Sequence, residues 1–328
     1  MVRSITGEEL NVIKAQLLNR DWESVFGTWA AAPSATEQAK SENAERAIRK
    51  AIDASEKLSA KDIGVLAQGS YANRTNVRQD SDVDICILCK NTFFPNYAMS
   101  EGLNDAVFGF TNADYKYADF KNYVETALKS CFGAGSITRG SKAFDVHENT
   151  YRLDADVVPC FEHVRFMGSP QSNWRISGTQ FLPDSGGIVI NWPRQNYKNG
   201  VDKNDATGRR FKAVVRILKR LRNEMAANGI EAAEPIPSYL IECLVWNVPK
   251  EGFGHDRYRA DVRYALAHLW NQTRSDSTCS EWGEINELKY LFRPGQPWSR
   301  AHGQRYAWRR PDSSRCGLRH AAARVARR

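Results

Sequence analysis

Apolar residues recur at helical spacing over residues 7–30, at Leu10, Ile13, Leu17, Trp22, Val25 and Phe26. A second helix is predicted over 34–58, with Ser34 as N-cap, Glu37 three residues on, and a run rich in Ala, Glu and Lys. The period then shortens. IGVLAQGSYANRT (63–75) reads as a short apolar strand, a Gly-Ser turn and a polar segment, and DVDICIL (82–88) as a strong strand. Residues 100–132 contain at least one helix, and 137–160 two or more strands. Residues 168–205 hold much Gly, Pro, Asn and Ser and predict a long loop or a hairpin. The clearest helix is 207–226, with Phe211, Val214, Val215, Leu218, Leu221 and Met225 on one face. A second stripe on it carries Lys212, Arg216 and Lys219. Pro235 and Pro237 precede another helix, 238–247, with Ser238 as candidate N-cap, and 257–272 and 281–292 predict two more. Strands therefore gather between 63 and 165 and helices between 205 and 292, which predicts a mixed α/β unit followed by a helical one.

Composition narrows this picture. The 328 residues are 42% hydrophobic and 26% charged, the make-up of a folded globular chain. No apolar run of about 18 residues or more is present, which argues against a membrane-spanning helix. The opening MVRSITGEEL has no apolar core of a secretory signal, so a cytoplasmic location is expected. The net charge of +8 is unevenly held. Residues 293–328 contain ten Arg and one acid, Asp312, for +9, so the remaining 292 residues, with 36 basic and 37 acidic side chains, stand at −1. The body lacks the basic surface expected of a protein that tracks nucleic-acid phosphates. The Arg-rich stretch after 293 has no apolar period and is expected to be poorly ordered. Seven scattered Cys include one CxxC, Cys86 and Cys89, inside the apolar strand, with no second pair or nearby His to complete a zinc set. Reduced core thiols are the expectation. None of the six His has the spacing of a metalloprotease or a catalytic triad.

The chemistry concentrates in GSYANRTNVRQDSDVDICIL, residues 69–88. Asp82 and Asp84 are two apart on a strand, so both carboxylates point to the same face, roughly 6–7 Å apart. Two such carboxylates call for a counter-ion, and Mg²⁺ with oxygen ligands is the natural one. Gly69 permits close backbone approach, and the Ser70 hydroxyl with nearby N–H groups at a helix start suits a phosphate. A phosphate grip beside a metal pair describes phosphoryl or nucleotidyl transfer. A third carboxylate is expected from LDADVVP (153–159): Asp156 first, Asp154 in reserve.

With Gly69-Ser70, Asp82-Val83-Asp84, Asp156-Val157-Val158-Pro159, the helix FKAVVRILKRLRNEM (211–225) and the segment PSYLIECLVWNVP (237–249), the chain resembles the polymerase-β-like nucleotidyltransferases. Within them it is most similar to the bacterial cGAS/DncV-like nucleotidyltransferases, relatives of oligoadenylate synthase, over roughly residues 10–292. The resemblance implies an α+β fold: a nucleotidyltransferase core of mixed twisted sheet and helices over 1–200, a C-terminal helical bundle over 201–292, and the tail at 293–328. It implies an active site in a cleft, two Mg²⁺ ions (Mn²⁺ able to substitute) on Asp82, Asp84 and Asp156, and Asp156 assisting as base. It further implies that Gly69, Ser70 and Lys219 hold the donor triphosphate, that Ser238 adds a hydroxyl, and that Tyr239 stacks on a nucleobase. The DNA-sensing zinc insertion of the animal enzyme has no counterpart here.

The function implied is condensation of two or three nucleoside triphosphates into a cyclic second messenger, with pyrophosphate released and a separate downstream effector as partner, in antiphage defence. Two alternatives remain open at this stage: transfer to another acceptor (an RNA 3′ end, a small molecule or a protein), and a non-catalytic nucleotide-binding module. The near-neutral body weighs against a long RNA acceptor.

Overall fold

The computed structural model describes residues 20–77, 82–147, 152–229 and 236–307. The chain divides into two compact units. The strand unit takes Pro33–Arg74 and continues from there to Arg194, except for Thr75–Val77. Those three residues belong to the helical unit, together with the chain up to Ala32 and from Gln195 onward.

The strand unit is built on seven strands: β1 (Ile63–Ala67), β2 (Val83–Asn96), β3 (Ile137–Arg139), β4 (Phe144–Val146), β5 (Ala155–Phe166), β6 (Arg175–Phe181) and β7 (Val189–Asn191). The order is β1-β2-β5-β4-β3, with β6 on the far half of β5 and β7 on β6. β2 and β5 run parallel, and β1 and β4 flank them antiparallel. Ile85 to Cys89 and Val157 to Phe161 are buried without alternation, as strands covered on both faces must be. One cover comes from the helices Ala35–Asp53 and Tyr117–Phe132, whose Ile48, Ile52, Phe120, Val124 and Leu128 share a core with Ile85, Ile87, Val157 and Phe161. The first of these helices starts where its sequence says it should: the Ser34 side chain accepts from Glu37 N–H while the Glu37 carboxylate accepts from Ser34 N–H.

The helical unit is organised by the helix Arg210–Ala227. Around it lie Trp22–Ala30, Ser238–Trp246, Tyr258–Gln272 and Arg300–Ala307. Every side chain from Phe211 to Lys219 on the central helix is buried. Trp22, Phe26 and Ala30 recur every fourth residue, so the helix Trp22–Ala30 presents one apolar stripe to the core.

Several expectations change. Residues 168–205 contain the antiparallel β6–β7 pair, but from Pro193 to Ala206 they are helical. That helix is polar and carries Gly200, so its sequence hides it; Pro193 at its first turn and the buried Asn196, Gly200 and Lys203 hold it in place. Residues 281–292 form turns around a Gly283–Tyr290 bridge, not a helix. Ser238 is the first helical residue of its helix and Pro237 the cap. The helical unit begins at Gln195, near the expected 201, but it also takes Trp22–Ala30, which had been assigned to the nucleotidyltransferase core. The stretch after 293 is not structureless throughout: Arg300–Ala307 is a helix with Tyr306 buried and its hydroxyl donating to Leu218 O at 2.5 Å. Residues 7–19 of the first predicted helix, and the tail from 308, lie outside the described residues.

Candidate active site

The strand register assembles a row of carboxylates. Asp84 on β2 is the direct partner of Asp156 on β5, and Asp156 is the direct partner of Asp145 on β4. Directly paired residues point to the same face of a sheet, with neighbouring strands about 4.8 Å apart. Their neighbours Val83, Ile85, Ala155, Val157, Phe144 and Val146 are all buried, so the alternation turns the three aspartates to the other, accessible face. Asp82 precedes the first residue of β2 and is exposed. Asp154 precedes β5, where its carbonyl accepts from Val83 N–H at 2.9 Å and ties the starts of the two strands together. Asp145 was missed in the sequence because FDV is a strand of three residues with no motif around it; its place beside Asp156 is a matter of register.

The row is electrostatically strained. Burial pushes the Asp156 carboxyl up to about 6, helped by a hydrogen bond with Asp145 and the negative charges of Asp82, Asp145 and Asp154. Asp82 is raised by burial first and then by Asp154 and Asp145. The carboxylates line up rather than close: among the described residues, no three His, Cys, Asp or Glu side chains form a ready-made ion cage. Of the expected metal carboxylates, the register sets Asp84 beside Asp156, and Asp82 lies one residue before β2.

Gly69 completes this edge. It opens a five-residue helix, Gly69–Asn73, that follows β1, and its φ of +65° lies in the left-handed region. A Cβ there would sit 1.9 Å from Asp84 Oδ2 and 2.8 Å from its Cγ. The Asp84 carboxylate thus rests on the bare glycine backbone, while Gln68 N–H donates to Asp84 O at 2.8 Å. Ser70 follows in the same turn, half-buried. Gly69, Ser70, Asp82, Asp84 and Asp156 all belong to the strand unit.

Lys219, Ser238 and Tyr239 belong to the helical unit, and two of them are engaged differently from expectation. Lys219 is 1% exposed; its ammonium donates to Glu242 Oε1 at 2.6 Å and to Thr75 O at 3.0 Å. Both of these acceptors belong to its own chain, so the ammonium is engaged rather than exposed. Lys212 and Arg216 are buried with it, and Arg216 donates to Ala30 O. Ser238 Oγ accepts from Arg222 at 3.0 Å. Tyr239 stays half-buried; its hydroxyl has Asn196 Oδ1 at 3.0 Å and Glu284 Oε2 at 3.1 Å as acceptors for its one proton, and the Trp298 ring lies 6.1 Å away, tilted by 57°.

A carboxylate row on a twisted mixed sheet, next to a glycine-led turn, defines a nucleotidyltransferase core, and the helical unit supplies the second identifier. Residues 198–310 match the model of the cGAS/DncV-like nucleotidyltransferase C-terminal helical domain, a span that includes the helix Arg300–Ala307. The chain is 49% identical over 291 residues to a cyclic dipyrimidine nucleotide synthase CdnE of Legionella pneumophila, covering 88% of this chain and 97% of that protein. It is 40% identical over 278 residues to a synthase of the same description from Cecembia lonarensis, covering 84% and 92%. Among solved structures, the Rhodothermus marinus CdnE c-UMP-AMP synthase with Apcpp and Upnpp superposes with a TM-score of 0.76 at 31% identity, over 87% of this chain and 93% of that one. The chain belongs to the cGAS/DncV-like nucleotidyltransferase family and is a nucleotidyltransferase enzyme.

Proposed function

We propose that this enzyme joins nucleoside triphosphates into a cyclic dinucleotide that carries pyrimidines, using the Asp84–Asp156–Asp145 row and Asp82 as its catalytic edge. The register of that row is the observation that carries the reading. Synthesis of cyclic oligonucleotides is the activity of the family's named synthases. The pyrimidine preference is supported by the relatives at 49% and 40% identity, both cyclic dipyrimidine nucleotide synthases.

Each turnover balances simply. A ribose hydroxyl oxygen attacks the α-phosphorus of the donor, the new P–O bond forms, and the bond to the β-phosphate oxygen breaks to release pyrophosphate. The hydroxyl proton leaves to a carboxylate at the site, for which Asp156 is the assigned acceptor. The free ribose hydroxyl of the linear product then attacks the α-phosphorus of its remaining triphosphate, which closes the ring and releases a second pyrophosphate.

The donor set fits a divalent cation such as Mg²⁺: it is all hard carboxylate oxygen, and its members repel one another in the absence of positive charge. Asp82, Asp84 and Asp156 would hold it, and such an ion, when bound, offsets the charge of the triphosphate and of the leaving pyrophosphate. Ser70 and the backbone opened by Gly69 contribute to the grip on the donor phosphates. Tyr239 offers a ring face to a base, a contact worth about 1–3 kcal/mol that tolerates base identity. The product would act on a separate effector in antiphage defence, as the family resemblance implies.

The test is incubation with pairs of labelled nucleoside triphosphates and Mg²⁺ or Mn²⁺, followed by phosphatase, chromatography and mass spectrometry. A phosphatase-resistant product whose mass contains at least one pyrimidine, and which is missing with the Asp82→Ala/Asp84→Ala enzyme, is the expected result. A product made only from purines overturns the base assignment. Transfer to an added RNA or small molecule in place of ring closure overturns the reaction.

A further inference from the structure

The helical unit includes three residues from the middle of the strand unit's sequence. Thr75, Asn76 and Val77 are 2%, 4% and 3% exposed, and they belong to the helical unit although residues on either side of them belong to the strand unit. The carbonyl of Thr75 is held by Lys219, and Lys219 is held in turn by Glu242. The ion pair is 2.6 Å long, with 1% and 5% of the two side chains exposed. Thr75 lies five residues after Ser70 and seven before Asp82. The chain that joins the phosphate turn to the first catalytic carboxylate is therefore pinned at its midpoint by a lysine of the central helix.

We infer that Lys219 and Glu242 are positioning residues: the pair anchors Thr75–Val77 and thereby sets where Ser70 and Asp82 stand. This inference rests on the reading of Ser70 and Asp82 given above. A buried ion pair is a poor source of stability, because desolvation of both charges offsets their attraction, and apolar replacements of similar volume are often as stable. What it provides here is direction. An ammonium buried at this depth must satisfy its donors, and the Thr75 carbonyl is one of the acceptors it takes. A shift of about 1 Å in a reacting group can cost about 100-fold in rate, so an anchor seven residues from Asp82 has leverage on the chemistry.

The experiment replaces both charges at once, Lys219→Met with Glu242→Met, in the full-length enzyme. Three quantities are followed: melting temperature, hydrogen exchange of the amides of residues 75–77, and initial rates of pyrophosphate release over a range of nucleotide concentrations. Tryptic cleavage after Arg74 gives a second view of the same segment. The expected outcome is a melting temperature within a few degrees of wild type, exchange and cleavage at the segment at least about tenfold faster, and kcat at least about tenfold lower with KM within threefold. Tyr306→Ala is the structural control. It removes a buried side chain that bonds Leu218 O on the same helix and leaves the anchor intact, so it should lower the melting temperature and keep kcat at 25 °C near wild type. Exchange at 75–77 equal to wild type in the double variant overturns the inference whatever the kinetics. So does a KM raised more than tenfold with kcat and exchange unchanged, since that assigns Lys219 to the triphosphate itself. Failure of the wild-type enzyme to make product would count against the catalytic reading, and the exchange and cleavage arms would still decide the anchor.

Discussion

Gly69→Ala separates the chemistry of the site from the stability of the fold. The substitution has two costs. The first is conformational: at φ +65° a Cβ crowds its own backbone, at about 1–2 kcal/mol. The second is local: the new Cβ would lie 1.9 Å from Asp84 Oδ2 and 3.2 Å from Asp84 Cβ, where ordinary contacts begin at 3.4 Å. The carboxylate must therefore move by about 1 Å or more, and Asp84 is the member of the proposed catalytic row that lies directly beside Asp156. The backbone cost lowers the melting temperature by a few degrees, at about 2–4 °C per kcal/mol for domains of this size. The displaced carboxylate costs about 100-fold in turnover, or about 2.7 kcal/mol of transition-state stabilisation. Gly102→Ala is the matched control, since Gly102 has φ +76° and open space where its Cβ would go. The assay is pyrophosphate release alongside thermal melting for both variants. If Gly69→Ala keeps more than a third of wild-type turnover, or if both variants lose activity in proportion to their melting temperatures, Asp84 does not depend on the glycine and the argument is wrong.

Three further outcomes are expected. Tyr239→Ala raises KM for nucleotide about tenfold, whereas Tyr239→Phe, which keeps the ring and loses only the hydroxyl bonds to Asn196 and Glu284, stays within threefold; equal effects in saturation kinetics would remove the stacking role. Burial lowers the Lys203 ammonium to about 8, against its ordinary 10.5, even though it donates to the carbonyls of Trp246 and Val248. The penalty for holding it charged is full below pH 8 and fades as pH rises toward 10.5, so wild-type stability should gain about 3 kcal/mol on Lys203→Met across that interval. Denaturant titrations showing a flat difference from pH 7.5 to 10.5 would refute it. Tyr306→Ala should destabilise by about 3 kcal/mol, and a chain ending at Ser299 by more, because both empty the same site in the helical core; a melting temperature unchanged by either would mean that Arg300–Ala307 does not pack as described.

The strands and the main helices were legible because their apolar periods are unbroken. DVDICIL announces a buried strand, the Ser34–Glu37 pair announces a helix start, and Phe211 to Met225 announces the central helix. The polar helix Pro193–Ala206 was not legible, because nothing in its local pattern favours a helix and its stability comes from contacts with distant residues. Residues 281–292 erred the other way. Trp282, Ile285, Leu288 and Leu291 are spaced as on a helix, yet they serve turns closed by Leu291 N–H to Trp282 O and Glu284 N–H to Lys289 O. The helix Arg300–Ala307 was masked by its arginines, since only Gly303, Tyr306 and Ala307 face the core.

The site shows the same division between what spacing carries and what register carries. Asp82 and Asp84 declare themselves by standing two apart at the start of an apolar strand, and Asp156 by the Val-Val-Pro that follows. Asp145 enters only when β4 pairs with β5, which no local pattern encodes. Lys219 is the converse. Its spacing from Lys212 and Arg216 describes a stripe but not what covers it, and a stripe beside an apolar face can be swallowed with that face. All three are buried here, and each burial demands acceptors. The acceptors include the carbonyls of Ala30 and Thr75 and the carboxylate of Glu242, so the basic stripe binds segments of its own chain from far away in sequence. Its charge goes to holding the helix Trp22–Ala30 and Thr75 against the central helix within the helical unit.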